Sequence, residues 1–211
     1  MEDRFEHLPL ECSHLYLAIE GKLAAVICVE DPLREEAADA VRELKEAGIT
    51  KVVMMTGDSE RTAAAIAKRV GVDEYYSEVL PEDKASFVEK EKELGHKVIM
   101  IGDGINDSLA LSSASVGIAI SDGAAIAREI ADVTISADNL HEIVTLKRLS
   151  TALMKRIHNN YRTIIGINGG LIALGVTGII MPTTSALLHN MSTLTISLRS
   201  MRNLLPKEEE A

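Results

Sequence analysis

Between Arg162 and Arg199 lie 36 residues with no Asp, Glu, Lys or Arg. A membrane-embedded hairpin explains such a run more simply than a buried soluble helix. Its first part, Thr163 to Met181, is 19 uncharged residues, about 28 Å of helix, close to the thickness of a bilayer core. Pro182 marks a turn. The second part, Thr183 to Leu198, has nine polar residues among 16 and needs other helices or water to satisfy them. Lys155, Arg156 and Arg162 precede the run and Arg199, Arg202 and Lys207 follow it. The positive-inside rule then places both ends in the cytoplasm, which demands two crossings. Gly166 and Gly170 form a GxxxG, a signal for close helix packing.

The rest of the chain has the opposite character. Residues 1–150 hold 16 Lys+Arg and 29 Asp+Glu, a net of −13, whereas residues 151–211 carry +3. An acidic domain of this kind is not a nucleic-acid binder. Cys12 and Cys28 have neither CxxC nor histidine spacing around them, so they provide no disulfide framework and no zinc knuckle. They read as ordinary thiols of a reducing compartment. No charged-then-apolar signal peptide opens the sequence.

Within the acidic part, strands alternate with helices. His14–Glu20 and Leu23–Val29 flank Gly21-Lys22, a hairpin signal. Asp31-Pro32 starts a helix to Ala47, since Asp caps and Pro suits the first helical position. Strands follow at 51–55, 97–101, 116–120 and 132–135. Between them come a helix ending at Gly71, one over Pro81–Leu94, and others near 107–113 and 123–130. Asp138 looks like the cap of a long helix toward the membrane. This alternation predicts an α/β fold with a Rossmann-like parallel sheet.

Ligands of such sheets bind at the carboxyl ends of the strands. Two loops with carboxylates lie there: Thr56-Gly57-Asp58 and Gly102-Asp103-Gly104-Ile105-Asn106-Asp107. Gly102 and Gly104 let backbone N–H groups approach a phosphate. Asp103 and Asp107, four apart across a tight turn, can face one hard cation such as Mg²⁺. Lys84, at the start of a helix, supplies a point charge for a phosphoryl oxygen.

These motifs, in this order, resemble the haloacid-dehalogenase-like superfamily and, within it, the heavy-metal-transporting P-type ATPases. Asp31-Pro32, Thr56-Gly-Asp58, Leu80-Pro-Glu-Asp-Lys84 and Gly102–Asp107 followed by Ala110-Leu111 carry the resemblance, which extends from about Leu15 to Leu205. It implies a remnant of a nucleotide-domain hairpin over 1–22 and a phosphorylation domain over 23–137. A connecting helix over 138–162, a transmembrane hairpin over 163–198 and a cytoplasmic tail over 199–211 would follow. In that frame Thr56 hydrogen-bonds the transferred phosphoryl group in the Thr56-Gly57-Asp58 loop, Lys84 neutralises it and Asn106 orients it. Asp103 and Asp107 hold Mg²⁺. ATP would be bound with a nucleotide domain not present here. The implied enzyme is an ATP-hydrolysing heavy-metal translocase of the cell membrane, multi-pass, with its α/β domain in the cytoplasm.

The family's phosphorylated aspartate, in an Asp-Lys-Thr-Gly-Thr segment on the central strand, does not occur in these 211 residues. The expectation is therefore a C-terminal fragment whose sheet lacks its nucleophile strand, inactive alone and partnered by the missing N-terminal part. Two other readings are a membrane-anchored regulatory module that kept the fold, and a haloacid-dehalogenase-like phosphatase. Leu109 stands where the family usually has proline, and Ser115 where aspartate is common. His189-Asn190-Met191-Ser192-Thr193 resembles the His-Glu-Gly-x-Thr of one heavy-metal subgroup, with Asn in place of Glu. Ser185, His189 and Ser192 share a helical face. His189 is thus the transported-ion candidate, for a metal of the Zn, Cd, Co, Fe or Mn class; Met191 reads as packing.

Overall fold

The computed structural model describes residues 13–29, 33–102, 106–120, 129–135 and 139–205. Asp31, Pro32, Asp103, Gly104, Asp138 and most of the helix expected near 123–130 lie outside them. The chain divides into two compact units, residues 1–144 and 145–211.

The first unit opens with the expected antiparallel hairpin, β1 (Ser13–Ile19) and β2 (Lys22–Val29). Its turn is Glu20-Gly21, both with positive φ (51° and 74°), one residue earlier than the sequence pattern suggested. Helix α1 (Ala37–Glu46) starts well after Asp31-Pro32, because residues 33–36 form a loop and turn closed by Ala37 N–H to Arg34 O at 3.1 Å. Then come β3 (Val53–Met55), α2 (Glu60–Val70) and β4 (Glu74–Tyr76), with Gly71 terminating α2 at φ 80°. The remaining elements are α3 (Pro81–Glu93), β5 (Ile99–Gly102), α4 (Ser108–Ser113), β6 (Val116–Ile120) and β7 (Val133–Ile135). All are near their expected positions except β4, which the sequence reading did not contain.

The parallel strands do not form one sheet. β3 pairs with β4, and β5-β6-β7 form a separate ladder. Side chains show which helices cover the β3–β4 ladder. Successive strand residues point to opposite faces: the Tyr75 hydroxyl donates to Glu60 of α2, while the Tyr76 ring lies 5.1 Å from that of Phe87 in α3. Helices α2 and α3 therefore cover opposite faces of the β3–β4 ladder, and α3 packs against α4. The two strands whose carboxyl ends carry the expected loops, β3 and β5, are not paired with each other.

The second unit is a helical hairpin. The 36-residue helix α5 (His141–Val176) begins in the first unit, where Asn139 Oδ1 accepts from His141 N–H at 2.9 Å, and continues into the second. Helix α6 (Pro182–Ser200) returns antiparallel, with Pro182 in its first turn. Arg156 donates to the carbonyls of Ser200 and Asn203, each at 2.9 Å, and also to that of Arg202. Asn160 Nδ2 reaches Ser200 Oγ at 2.7 Å.

The expected single span over Thr163–Met181 is corrected here. Helix α5 stops at Val176, where Thr177 Oγ1 turns back onto Ala173 O (3.0 Å) and Gly178 takes φ 72°. Only 14 uncharged helical residues, Thr163 to Val176, remain, and α6 is rich in hydroxyls. No helix among the described residues is long and apolar enough to cross a membrane. A Cβ placed on Gly166 or Gly170 would meet nothing within 4 Å, so among the described residues neither glycine makes a close approach.

Candidate functional site

The carboxyl ends of β3 and β5 carry the two expected loops. After β3, Thr56 N–H donates to Tyr76 O and Val79 N–H donates to Thr56 O, both at 3.0 Å. Glu78 N–H adds a bond to Asp58 O at 2.9 Å. This fastens the Thr56-Gly57-Asp58 turn to the segment that leads into α3. Within the turn, Thr56 Oγ1 donates to Asp58 Oδ2 at 2.6 Å and accepts from Asp58 N–H at 3.1 Å. A short hydroxyl side chain two residues before a carboxylate closes such a turn on itself. The Thr56 hydroxyl is thereby held by Asp58.

Lys84 comes from the first turn of α3. Pro81 fits the opening of that helix, and Asp83 Oδ2 accepts from Leu80 N–H at 3.2 Å, so Lys84 is presented in a capped turn. Its Nζ lies 2.7 Å from Asp107 Oδ1, with side chains only 15% and 12% exposed. Asp107 stands at the N-cap position of α4, yet its side chain makes no capping bond; it is turned to Lys84. The backbone of Gly102 forms the floor under this carboxylate. A Cβ there would fall 2.7 Å from Asp107 Cβ and 2.9 Å from its Cγ, a separation that real side chains do not tolerate.

The structure thus joins Lys84, Gly102 and Asp107 in one partly buried cluster and joins Thr56 to Asp58 in another. Asn106 lies in the bend beside Asp107. Asp103 and Gly104 fall outside the described residues. Among the described residues no three His, Cys, Asp or Glu side chains converge on one point. Asp107 nonetheless fits a hard cation: it is a buried carboxylate, 9% exposed, whose counter-charge is an ammonium 2.7 Å away. Magnesium commonly takes one or two protein carboxylates and completes its shell with water and phosphate oxygens. Of the family departures, Leu109 is 57% exposed on α4, and Ser115 Oγ accepts from Val98 N–H at 3.2 Å beside β5.

A third cluster lies in the helical unit. An open pocket of about 650 Å³ is lined by His189, Asn190, Ser185 and Asn168 together with apolar side chains. The His189 ring Nδ1 is 2.8 Å from Asn168 Oδ1. This contact ties the His189 ring on α6 to the Asn168 amide on α5. Ser185 shares the pocket with His189, whereas Ser192 Oγ turns to His189 O at 2.8 Å. Sequence reasoning missed Asn168. Its signal was available, because it is the single amide in the run Thr163–Met181 and an amide there needs a partner.

Comparison with known proteins points one way. A family profile described as haloacid dehalogenase-like hydrolase matches residues 2–115. The chain is 37% identical over 189 residues to a zinc-exporting P-type ATPase of Mycobacterium marinum, covering 89% of this chain and 26% of that protein. It is 44% identical over 176 residues to copper-transporting ATPase 2 of Rhizobium meliloti, covering 83% and 21%. A manganese-exporting P-type ATPase of Mycobacterium bovis is 38% identical over 89% of this chain and 26% of its own length. The chain therefore spans about a quarter of the curated relatives it matches. Among solved structures, a zinc-transporting PIB-type ATPase in its E2.Pi state superposes with TM-score 0.81 at 31% identity, over 93% of this chain and 32% of that one.

Proposed function

The chain belongs to the haloacid dehalogenase-like hydrolases, and from that premise we propose that it is the C-terminal portion of an ATP-driven heavy-metal exporter of the P-type class. One observation carries the reading: Lys84 meets Asp107 beyond the carboxyl end of β5, in a unit whose β3–β4 and β5–β6–β7 ladders do not pair with each other. A strand ending in a carboxylate nucleophile would join the two ladders and bring that carboxylate between Thr56 and Lys84. Lys84 and the Thr56 hydroxyl would then stabilise charge on a transferred phosphoryl group. Asp107, with Asp103, would hold the Mg²⁺ that accompanies it; bound there, the ion neutralises phosphoryl oxygens. Thr56 must leave Asp58 to make its contact, so the turn is a resting state of the loop.

In this reading these 211 residues form no aspartyl-phosphate by themselves, because the remaining groups stabilise charge and none attacks phosphorus. The helical hairpin takes its place in the membrane beside other helices of the pump. Its exposed apolar side chains support this, among them Ile172 (67%), Val176 (84%) and Leu194 (61%). His189, oriented by Asn168, is the ligand proposed for a borderline metal such as zinc, cobalt, iron or manganese.

The test is reconstitution. Co-expression with a segment supplying Asp-Lys-Thr-Gly-Thr and the preceding helices should restore an acid-stable, hydroxylamine-sensitive phosphoprotein from labelled ATP and metal resistance in cells. His189→Ala should abolish resistance while Met191→Leu preserves it. A phosphoprotein formed by the 211-residue chain alone would refute the reading.

A further inference from the structure

The pairing of Lys84 with Asp107 has a consequence for cation binding. We infer that the Lys84 ammonium competes with the divalent cation for the Asp107 carboxylate, so that the cation binds well only when an anionic group draws Lys84 away. The inference rests on the proposed cation role of Asp107, and its experiment separates the two.

Asp107 Oδ1 is 2.7 Å from Lys84 Nζ, and both side chains are largely withdrawn from water. The carboxylate rests on the Gly102 backbone, where even a methyl group would not fit, so it has little room to turn toward a second cation while keeping the first. Lys84 is fixed in turn by a capped helix start, with Pro81 and Asp83 holding the turn that presents it. An ammonium and a carboxylate in contact are together neutral. A divalent ion approaching them is attracted by the acid and repelled by the lysine at nearly the same distance. Of the acids in the adjoining loops that the structure describes, Asp58 has one oxygen engaged by the Thr56 hydroxyl, and Asp83 accepts from Leu80 N–H.

A phosphoryl or phosphate group entering the loops offers Lys84 a second partner of higher charge. Releasing Lys84 uncovers Asp107 for the cation, and the cation in turn favours the anion. Affinity coupling is reciprocal, so each ligand raises the affinity of the other through this lysine. The arrangement favours loading metal together with phosphate over loading metal alone. Removing Lys84 should therefore improve cation binding, the reverse of what losing an ordinary structural lysine would do.

The experiment uses the full chain in detergent and Mn²⁺ as the probe, with free Mn²⁺ followed by its electron paramagnetic resonance signal. Lys84→Met should bind Mn²⁺ at least tenfold more tightly than the unsubstituted chain, while Lys84→Arg stays at the original affinity. Adding Asp107→Asn to Lys84→Met should erase the gain. Equal or weaker binding by Lys84→Met overturns the competition. A gain that survives Asp107→Asn shows that the ion sits elsewhere and overturns the cation role of Asp107 itself. Should Lys84→Met fail to fold by circular dichroism, the unsubstituted chain still decides. The Lys84 ammonium nitrogen, observed by NMR, should lose its hydrogen-bond coupling to the Asp107 carboxylate as Mg²⁺ saturates. Coupling that persists at saturation overturns the inference.

Discussion

The two units of this chain are held together by different physics. Every buried side chain among the described residues lies between 37 and 144, and none lies between 145 and 205. In the α/β unit, Leu111, Ile118, Val88 and Val144 are each below 2% exposed, and six small alanines fill the spaces around them. The helical unit relies instead on a polar clamp, Arg156 on three carbonyls, and on the Asn168–His189 bond. A two-helix unit without a buried residue gains little from the hydrophobic effect in water. The α/β unit, by contrast, has its own core.

The contrast is broken most directly at the cores. Leu111→Ala should destabilise the α/β unit by about 2–5 kcal/mol, the usual cost of emptying a buried leucine site. Leu194→Ala, 61% exposed on α6, should stay within about 0.5 kcal/mol in urea melts of the chain. Comparable losses would mean that α6 packs against something the comparison leaves out.

Glycines give the next largest effect. Gly117→Ala would drive a Cβ to 2.6 Å from Leu111 O, and Gly102→Ala would push against the Asp107 side chain. Each should cost about 1–3 kcal/mol through overpacking, and Gly102→Ala should also displace Asp107 from Lys84. Gly166→Ala meets open space in the middle of α5. It should be neutral or stabilise by about 0.5–1 kcal/mol, since alanine is the better helix former. Thermal melts followed at 222 nm separate the three.

How much of this was legible beforehand follows the same division. In the α/β unit, alternation, glycine stops and the order of charged loops placed nearly every element, because local signals and tertiary packing agree there. Strand β4 escaped, since Glu74-Tyr75-Tyr76 is three residues long and becomes a strand only through its ladder to β3. The pairing of Thr56 with Asp58 and of Lys84 with Asp107 was also out of reach, because a sequence lists donors and acceptors without saying which pairs meet. In the helical unit, the uncharged run reads as two crossings, the first a single span over Thr163–Met181, whereas the first helix stops at Val176. The stop at Val176 shows only in the backbone, where Gly178 N–H returns to Gly175 O at 3.1 Å and Gly178 takes a positive φ.

A smaller effect tests the clamp. Arg156→Lys keeps the charge but loses the planar fork that reaches several carbonyls at once. It should lower the stability of the helical unit by about 1 kcal/mol, and Arg156→Ala should cost somewhat more. The α/β unit should be unaffected by either, as judged by hydrogen exchange at β6 amides.

The smallest effect per residue, and the sharpest in pattern, is the response to acid. Asp73 accepts from Lys45 Nζ at 2.7 Å and from Val52 N–H at 2.8 Å, and these bonds hold its carboxyl below the usual value of 3.8. Glu60 is likewise lowered, first by the Ser77 hydroxyl and then by that of Tyr75. A carboxyl whose folded pKa is depressed contributes stability that is present above its unfolded pKa and disappears as pH falls through the folded one. The α/β unit should therefore lose stability progressively below about pH 4. Asp73→Asn should flatten part of that decline while leaving stability near neutrality only slightly reduced, because the pair is exposed and screened. Residues 145–205 contain no Asp or Glu, so the helical signal should persist in detergent at pH values where the α/β unit has melted. Coincident acid transitions in the two units would show that the helical pair depends on the α/β unit for its fold.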